Sequence, residues 1–145
     1  MVAGNTSQQA LQVWHSKMSN RRKVVVRIRG GIGNQLFCYA TGYAVARNND
    51  AELVVDHISG FTQDVKYKRV YRLNNFNITA RICKPYERLE PFSRIRRHLA
   101  INWARKQPYS ERSYLREEVS DFDPRLRRYR VHDAVYLDGY WQSYL

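Results

Sequence analysis

The sequence contains few of the residues that build disulfide and metal sites. Among its 145 residues there are two cysteines and four histidines. Cys38 and Cys83 lie far apart without a Cys-x-x-Cys pair, and the histidines lack the spacing of metal ligands. We therefore expect no disulfide framework and no metal site, and we expect Cys38 to be a buried free thiol.

Long apolar segments are also absent. No run approaches the roughly 20 apolar residues of a membrane-spanning helix, and residues 1–22 contain no apolar core of a signal peptide. Hydrophobic residues still make up 43% of the chain, which suffices for the core of one ordinary domain. We expect a cytoplasmic protein with a flexible N-terminal arm over residues 1–22 and one α/β domain over residues 23–145.

Acidic residues are about half as frequent as basic ones. The 13 Asp and Glu against 25 Lys and Arg give a formal net charge of +12. This charge favours nucleic acid, phosphorylated ligands or anionic membranes as partners, although it would equally serve solubility alone. Basic and aromatic residues interleave in Tyr67–Arg72, as on nucleic-acid-binding surfaces, but no helix-turn-helix, RRM or zinc signature accompanies them. A basic nucleic-acid-binding or small nucleotide-binding module without catalysis is therefore one hypothesis.

What the chain does contain is a strand–turn–helix–strand pattern near its beginning. Val24–Ile28 is a β-branched run, helical spacing follows to about Asn48, and Ala51–Asp56 is a second apolar run. A helix between two such strands predicts a parallel crossover. Further along, the pattern predicts a short strand, a turn at Asn74-Asn75 and another extended piece within residues 71–78. It also predicts a helix within residues 86–106 and a strand within residues 131–140.

The glycine-rich turn at residues 30–33 permits close approach of the backbone to a ligand. Its last two glycines form part of a dinucleotide fingerprint, with Asp56 where a ribose-binding acid would lie, but Leu36 replaces the third glycine. Alternatively, backbone N–H groups at the helix N-terminus and the Asn34 amide bind some other ligand. A third interpretation is that Asn34 only caps the helix.

Four segments resemble, in order, motifs of the α-1,2-fucosyltransferase family, glycosyltransferase family 11. The turn and helix GGIGNQLFCYA resemble the family's GGLGNQMFQYA-like opening, and Ala51–Asp56 resembles its second strand. Residues 71–78 resemble its YRLxxFNI segment, and residues 137–143 resemble its LxGYWQS segment. The resemblance extends over residues 23–145.

The resemblance implies the Rossmann-like N-terminal half of a GT-B glycosyltransferase, in which two Rossmann-like domains face a cleft. The implied activity is transfer of fucose from GDP-fucose to the 2-hydroxyl of a β-galactoside, with inversion and with no metal or other cofactor. The family's second domain carries a His-x-Arg-Arg-x-Asp motif for the donor diphosphate, and these 145 residues do not contain that motif. We therefore expect the acceptor-side portion of an enzyme, truncated before its donor-binding domain and inactive alone.

The resemblance also implies where substrates bind. The candidates are Gly30, Gly31, Gly33, Asn34, Gln35, Tyr140 and Trp141. The two amides could bind the fucose or the diphosphate, and the two aromatic rings could either stack on a sugar or be buried. The catalytic base is unknown, because Asp56 and Asp138 near strand ends are equally well explained as solvated surface groups. The implied partners are GDP-fucose and a galactose-terminated glycan, with no nucleic acid and with peripheral contact to anionic lipid through the basic face.

Overall fold

The computed structural model describes residues 21–119 and 123–142. Within them, five strands form one sheet in the order β3-β2-β1-β5-β4, and every strand pair is parallel. The strands are β1 (Lys23–Arg27), β2 (Glu52–Asp56), β3 (Arg81–Ile82), β4 (Tyr114–Arg116) and β5 (Ala134–Asp138). Because the strands are parallel, their carboxyl ends meet at one edge of the sheet, called the carboxyl edge below.

Two longer helices cover opposite faces of the sheet. They are α1 (Ile32–Asn48) and α2 (Ser93–Arg105), and a short helix α3 (Arg125–Arg128) precedes β5. Successive side chains of a strand point to opposite faces, so Val24 and Val26 join the core that contains Cys38 of α1, whereas Val25 joins the core that contains Ala104 of α2. The domain is therefore a mixed α/β structure.

The predicted β-α-β unit is confirmed. Helix α1 ends at Asn48, and Asn49 closes it by donating from Nδ2 to the carbonyl oxygens of Val45 and Tyr129. β1 and β2 are parallel, and the last predicted strand is present as β5. Cys38 is a buried free thiol as expected, and burial raises its pKa to about 11.

Within residues 71–78 the predicted turn at Asn74-Asn75 is confirmed, but neither flanking piece forms a strand. This segment contains a short 3-10 helix at Leu73–Asn75, in which only Leu73 is buried. The next strand, β3, begins at Arg81. The strand β4 escaped prediction because it has only three residues and pairs with β5 alone, so it shows little of the periodicity on which sequence patterns depend.

The predicted helix in residues 86–106 is present as α2, but most of its large apolar residues face away from the sheet. Ala100, Ile101 and Ala104 pack in the core instead. The large apolar side chains that are exposed in this segment are Phe92 (75%), Ile95 (62%), Leu99 (61%) and Trp103 (63%). In the described part of the chain, no helix has the length and apolar character needed to cross a membrane.

Candidate functional site at the carboxyl edge

The glycine turn follows β1 directly at the carboxyl edge. Gly30 has φ +78°, and a Cβ placed on it would lie 2.9 Å from the amide nitrogen of Asn34 and 3.0 Å from the ring of Tyr140. Internal packing therefore requires glycine at this position. A Cβ at Gly31 or Gly33 would meet no atom within 4 Å, so nothing in the described structure demands glycine there. These two positions leave the backbone open to approach from outside.

Asn34 does not cap helix α1. The N-cap is Gly31, and no side chain caps the helix. The Asn34 Oδ1 atom instead accepts a hydrogen bond from Gln142 Nε2 at 2.6 Å. The capping interpretation is therefore wrong, and Asn34 ties the glycine turn to the segment that follows β5.

Gln35 connects the glycine turn to residues 70–72 through hydrogen bonds of its side chain. Its side chain is 1% exposed. Nε2 donates to the carbonyl oxygens of Gly30 and Val70, both at 2.9 Å, and Oε1 accepts from the Arg72 N–H at 2.9 Å. Both N–H groups of the amide and one acceptor position of its oxygen are therefore bonded within the protein, so Gln35 positions the turn and residues 70–72, and its buried amide does not face open space.

Tyr140 and Trp141 lie beside the turn in different environments. Trp141 is 6% exposed and belongs to the core on the α1 side, so burial is the better of its two interpretations. Tyr140 is half-buried, and the guanidinium of Arg29 stacks over its ring at 4.5 Å. The backbone N–H groups of both residues donate to the carboxylate of Glu117 at 2.8 Å. This pairing fixes the chain where it leaves β5.

Asp56, at the end of β2, is not a surface group. It is fully buried, and its carboxylate accepts hydrogen bonds from the N–H groups of Ile58 and Ser59, the Ser59 hydroxyl and the Tyr136 hydroxyl. The interpretation of Asp56 as a solvated surface group is therefore wrong, because these four donors replace water. The same enclosure removes Asp56 as a ribose-binding acid and with it the main support for a dinucleotide site.

Asp138, at the end of β5, is also buried, contrary to expectation. Arg27 Nη1 lies 3.1 Å from its Oδ1, the Tyr114 hydroxyl donates to Oδ2 at 2.5 Å, and Arg29 Nη1 lies 3.8 Å away. Burial alone raises the pKa of the Asp138 carboxyl, but Arg27, the Tyr114 hydroxyl and Arg29 outweigh burial, so its pKa is lowered. The group is therefore ionised at neutral pH.

A pocket of about 170 Å³ opens between Asp138 and helix α2. We call this cavity the arginine pocket. Its basic lining residues are Arg27, Arg29, Arg94, Arg97 and Arg116. Sequence patterns missed this site because its arginines come from β1, the turn, α2 and β4, which are distant in the chain. The only sequence feature that pointed toward it was the net charge of +12.

Comparisons with known proteins leave the family open. No family model, no curated protein and no solved structure matches the chain. Among the described residues, no group of three His, Cys, Asp or Glu side chains could hold a metal ion. The geometry of the carboxyl edge and the motifs of the sequence are therefore the basis for functional inference.

Proposed function

We propose that this chain forms the N-terminal, acceptor-side domain of a galactoside α-1,2-L-fucosyltransferase of GT-B architecture. The enzyme would transfer fucose from GDP-fucose to the 2-hydroxyl of a β-galactoside, with inversion and without a metal ion. The donor diphosphate would be held by a second domain that these residues do not include.

One observation carries this proposal. Three motif segments that are distant in sequence lie against one another at the carboxyl edge. Gln35 of the glycine turn bonds to Val70 and Arg72, next to and within the YRL segment. Asn34 bonds to Gln142, and Gly30 packs on Tyr140, both within the GYWQ segment. Motif residues that serve one site must converge in space, whereas chance matches would be scattered over the fold.

The fold supports the same location. Ligands of open parallel α/β sheets bind outside the carboxyl ends of the strands. The open backbone at Gly31 and Gly33, the N–H groups in the first turn of α1, which no side chain caps, and the amide of Asn34 all lie at this edge. Neutral amide and backbone groups of this kind suit the hydroxyl groups of a sugar.

In the proposed reaction, the 2-hydroxyl oxygen of the acceptor forms a bond to C1 of fucose through an oxocarbenium-like transition state. The bond from C1 to the diphosphate oxygen breaks on the opposite face, and GDP leaves with the electron pair. The hydroxyl proton passes to a base that remains unassigned. Asp56 and Asp138 are poor candidates, because their carboxylates are enclosed by internal donors.

Acceptor binding tests this proposal on the chain as it exists. Saturation-transfer NMR should detect binding of lactose, a β-galactoside. We expect Asn34→Ala to weaken it about tenfold, since a hydrogen-bonding group would be lost at the site. Asn48→Ala removes an exposed asparagine from the other end of the same helix and should leave binding unchanged. Absence of lactose binding, or equal losses in the two variants, would contradict the proposal.

The coding DNA beyond codon 145 offers a second test. If the frame continues into a His-x-Arg-Arg-x-Asp segment, the complete protein should transfer labelled fucose from GDP-fucose to lactose. A complete protein with that motif but without transfer to any β-galactoside would contradict the proposed activity.

We also propose peripheral contact with an anionic membrane through α2. This helix presents Ile95, Leu99 and Trp103 to solvent, and Phe92 immediately before it is also exposed. The helix carries basic residues such as Arg96 and has no acidic residue. Exposed apolar and basic side chains on one helix suit an anionic bilayer surface. Leu99→Glu should reduce co-sedimentation with phosphatidylserine vesicles, whereas Val65→Glu, at an apolar site that is 81% exposed, should not. Equal sedimentation of wild type with neutral and anionic vesicles would contradict this contact.

A further inference from the structure

The arginine pocket concentrates positive charge at one point of the carboxyl edge. Five arginines line it, and Asp138 is the one carboxylate among its described lining residues. A second carboxylate, Asp56, lies behind Arg97 at 4.0 Å. The guanidinium groups therefore outnumber the carboxylates within reach, and the excess charge faces the pocket.

Two of these arginines are held rigidly. Arg27 donates to Asp138, to the Ser59 hydroxyl and to the Ser59 carbonyl oxygen. Arg97 donates from Nη2 to the hydroxyls of Ser59 and Tyr136, both at 3.1 Å. Both side chains are largely enclosed, with 16% and 11% exposure. The two guanidinium groups are therefore held in position without a ligand, which reduces the conformational entropy lost when a ligand binds.

Several other arginine donors at or near the pocket have no acceptor among the described residues. The side chains of Arg94 and Arg116 line the pocket, are exposed to solvent, and make no hydrogen bond or ion pair to the described residues. The Nε atoms of Arg29 and Arg97 are buried and also lack an acceptor in the described structure. Buried donors without partners are rare in folded proteins and call for a specific explanation. An anion in the pocket would supply acceptors for the guanidinium groups of Arg94 and Arg116.

We propose that the arginine pocket binds the phosphate group of a small phosphorylated ligand. Guanidinium groups pair with phosphate oxygens through two parallel hydrogen bonds, and such charged bonds are stronger than neutral ones. A volume of about 170 Å³ is below the range of about 300–1,000 Å³ typical for whole ligands, so the rest of the molecule would extend outside. Arg29 connects the pocket to the glycine turn, because it pairs with Asp138 and stacks on Tyr140.

This inference does not depend on the proposed fucosyltransferase activity. Calorimetric titration of the full chain with inorganic phosphate, at ionic strength held constant with chloride, should detect binding. The variant Arg94→Gln/Arg116→Gln should bind phosphate at least about tenfold more weakly, because two charged donors are lost. The control Arg47→Gln/Arg128→Gln removes the same charge at exposed positions outside the pocket and should stay within about twofold.

Three results would overturn the inference. They are no phosphate binding by the wild type, no loss in the pocket variant, and equal loss in the pocket and control variants. Parallel titrations with GDP and with vesicles that contain phosphatidic acid identify the source of the phosphate, since the pocket variant should lose whichever binding uses the pocket. If phosphate binds through the pocket but lactose does not bind to the chain, the proposed function fails and this inference stands.

Discussion

The glycine turn and the arginine pocket lie side by side at the carboxyl edge, but different chemistry holds them. Neutral amides hold the turn, through the bonds of Asn34 to Gln142 and of Gln35 to three backbone groups. Buried carboxylates hold the pocket, where Asp138 pairs with Arg27 and Asp56 accepts from Tyr136. Arg29 contacts both regions.

Because of this difference, the two regions suit different ligands, and substitutions in them should change stability by different amounts. A typical neutral hydrogen bond contributes about 1 kcal/mol to stability, whereas breaking a buried ion pair from one side costs about 3–5 kcal/mol. The turn offers uncharged groups suited to a sugar, and the pocket offers fixed positive charge suited to an anion. The two regions should therefore respond differently to substitution and to pH.

The largest effect is expected from Asp138→Ala. The change leaves Arg27 and Arg29 with no carboxylate partner in the pocket, and we expect the free energy of unfolding to fall by about 3–5 kcal/mol in urea denaturation. Glu118→Ala removes a carboxylate that is 43% exposed and should cost less than about 1 kcal/mol. Similar losses for the two variants would show that the pocket is not held by its buried ion pair.

A smaller effect is expected from alanine in the glycine turn. Gly30→Ala places a side chain at φ +78° against Asn34 and Tyr140, so we expect a loss of about 1–2 kcal/mol in the free energy of unfolding. Gly33→Ala adds a methyl group that meets no atom within 4 Å in the first turn of α1. We expect the free energy of unfolding to stay unchanged or to rise by up to about 1 kcal/mol. Thermal unfolding of both proteins measures this contrast, and a destabilised Gly33→Ala with a native-like Gly30→Ala would reverse it.

Acid should affect the pocket before the turn. The pKa of Asp138 is lowered below its ordinary value of 3.8, so its stabilising contribution is fully present above that pH and is lost as the pH falls through the folded-state pKa. The amide bonds of Asn34 and Gln35 do not titrate. In an NMR titration below pH 3.8, signals of Arg27 and Tyr114 should shift while those of Asn34 and Gln35 stay constant. Parallel shifts in both regions would mean that the whole domain unfolds together.

The smallest effect on stability is expected from the free arginines. Arg94→Gln/Arg116→Gln should change the free energy of unfolding by no more than about 0.5 kcal/mol, because these side chains have no partner among the described residues. Chemical denaturation without phosphate measures this. A large loss would indicate that the two arginines serve the fold and not a ligand.

Much of the α1 side could be predicted from the sequence. The run from Val24 to Asp56 contains its own strand, turn, helix and strand signals, and the structure matches them. Helix α2 was predicted, but its orientation was not, because small residues such as Ala100 and Ala104 form its buried face while Leu99 and Trp103 are exposed. Hydrophobic spacing detects a helix, but it does not reveal which face a neighbouring sheet will cover.

The sequence by itself determined the β1-α1-β2 unit, helix α2, strand β5 and the position of the glycine turn, because those depend on residues close together in the chain. Only the tertiary structure decided that Asp56 and Asp138 are buried and that the Gln35 amide bonds to backbone groups. It also decided that arginines from distant segments line one pocket. The physical reason is that charge pairing depends on distance in space. Parallel strands bring together at one edge the side chains that are far apart in the chain.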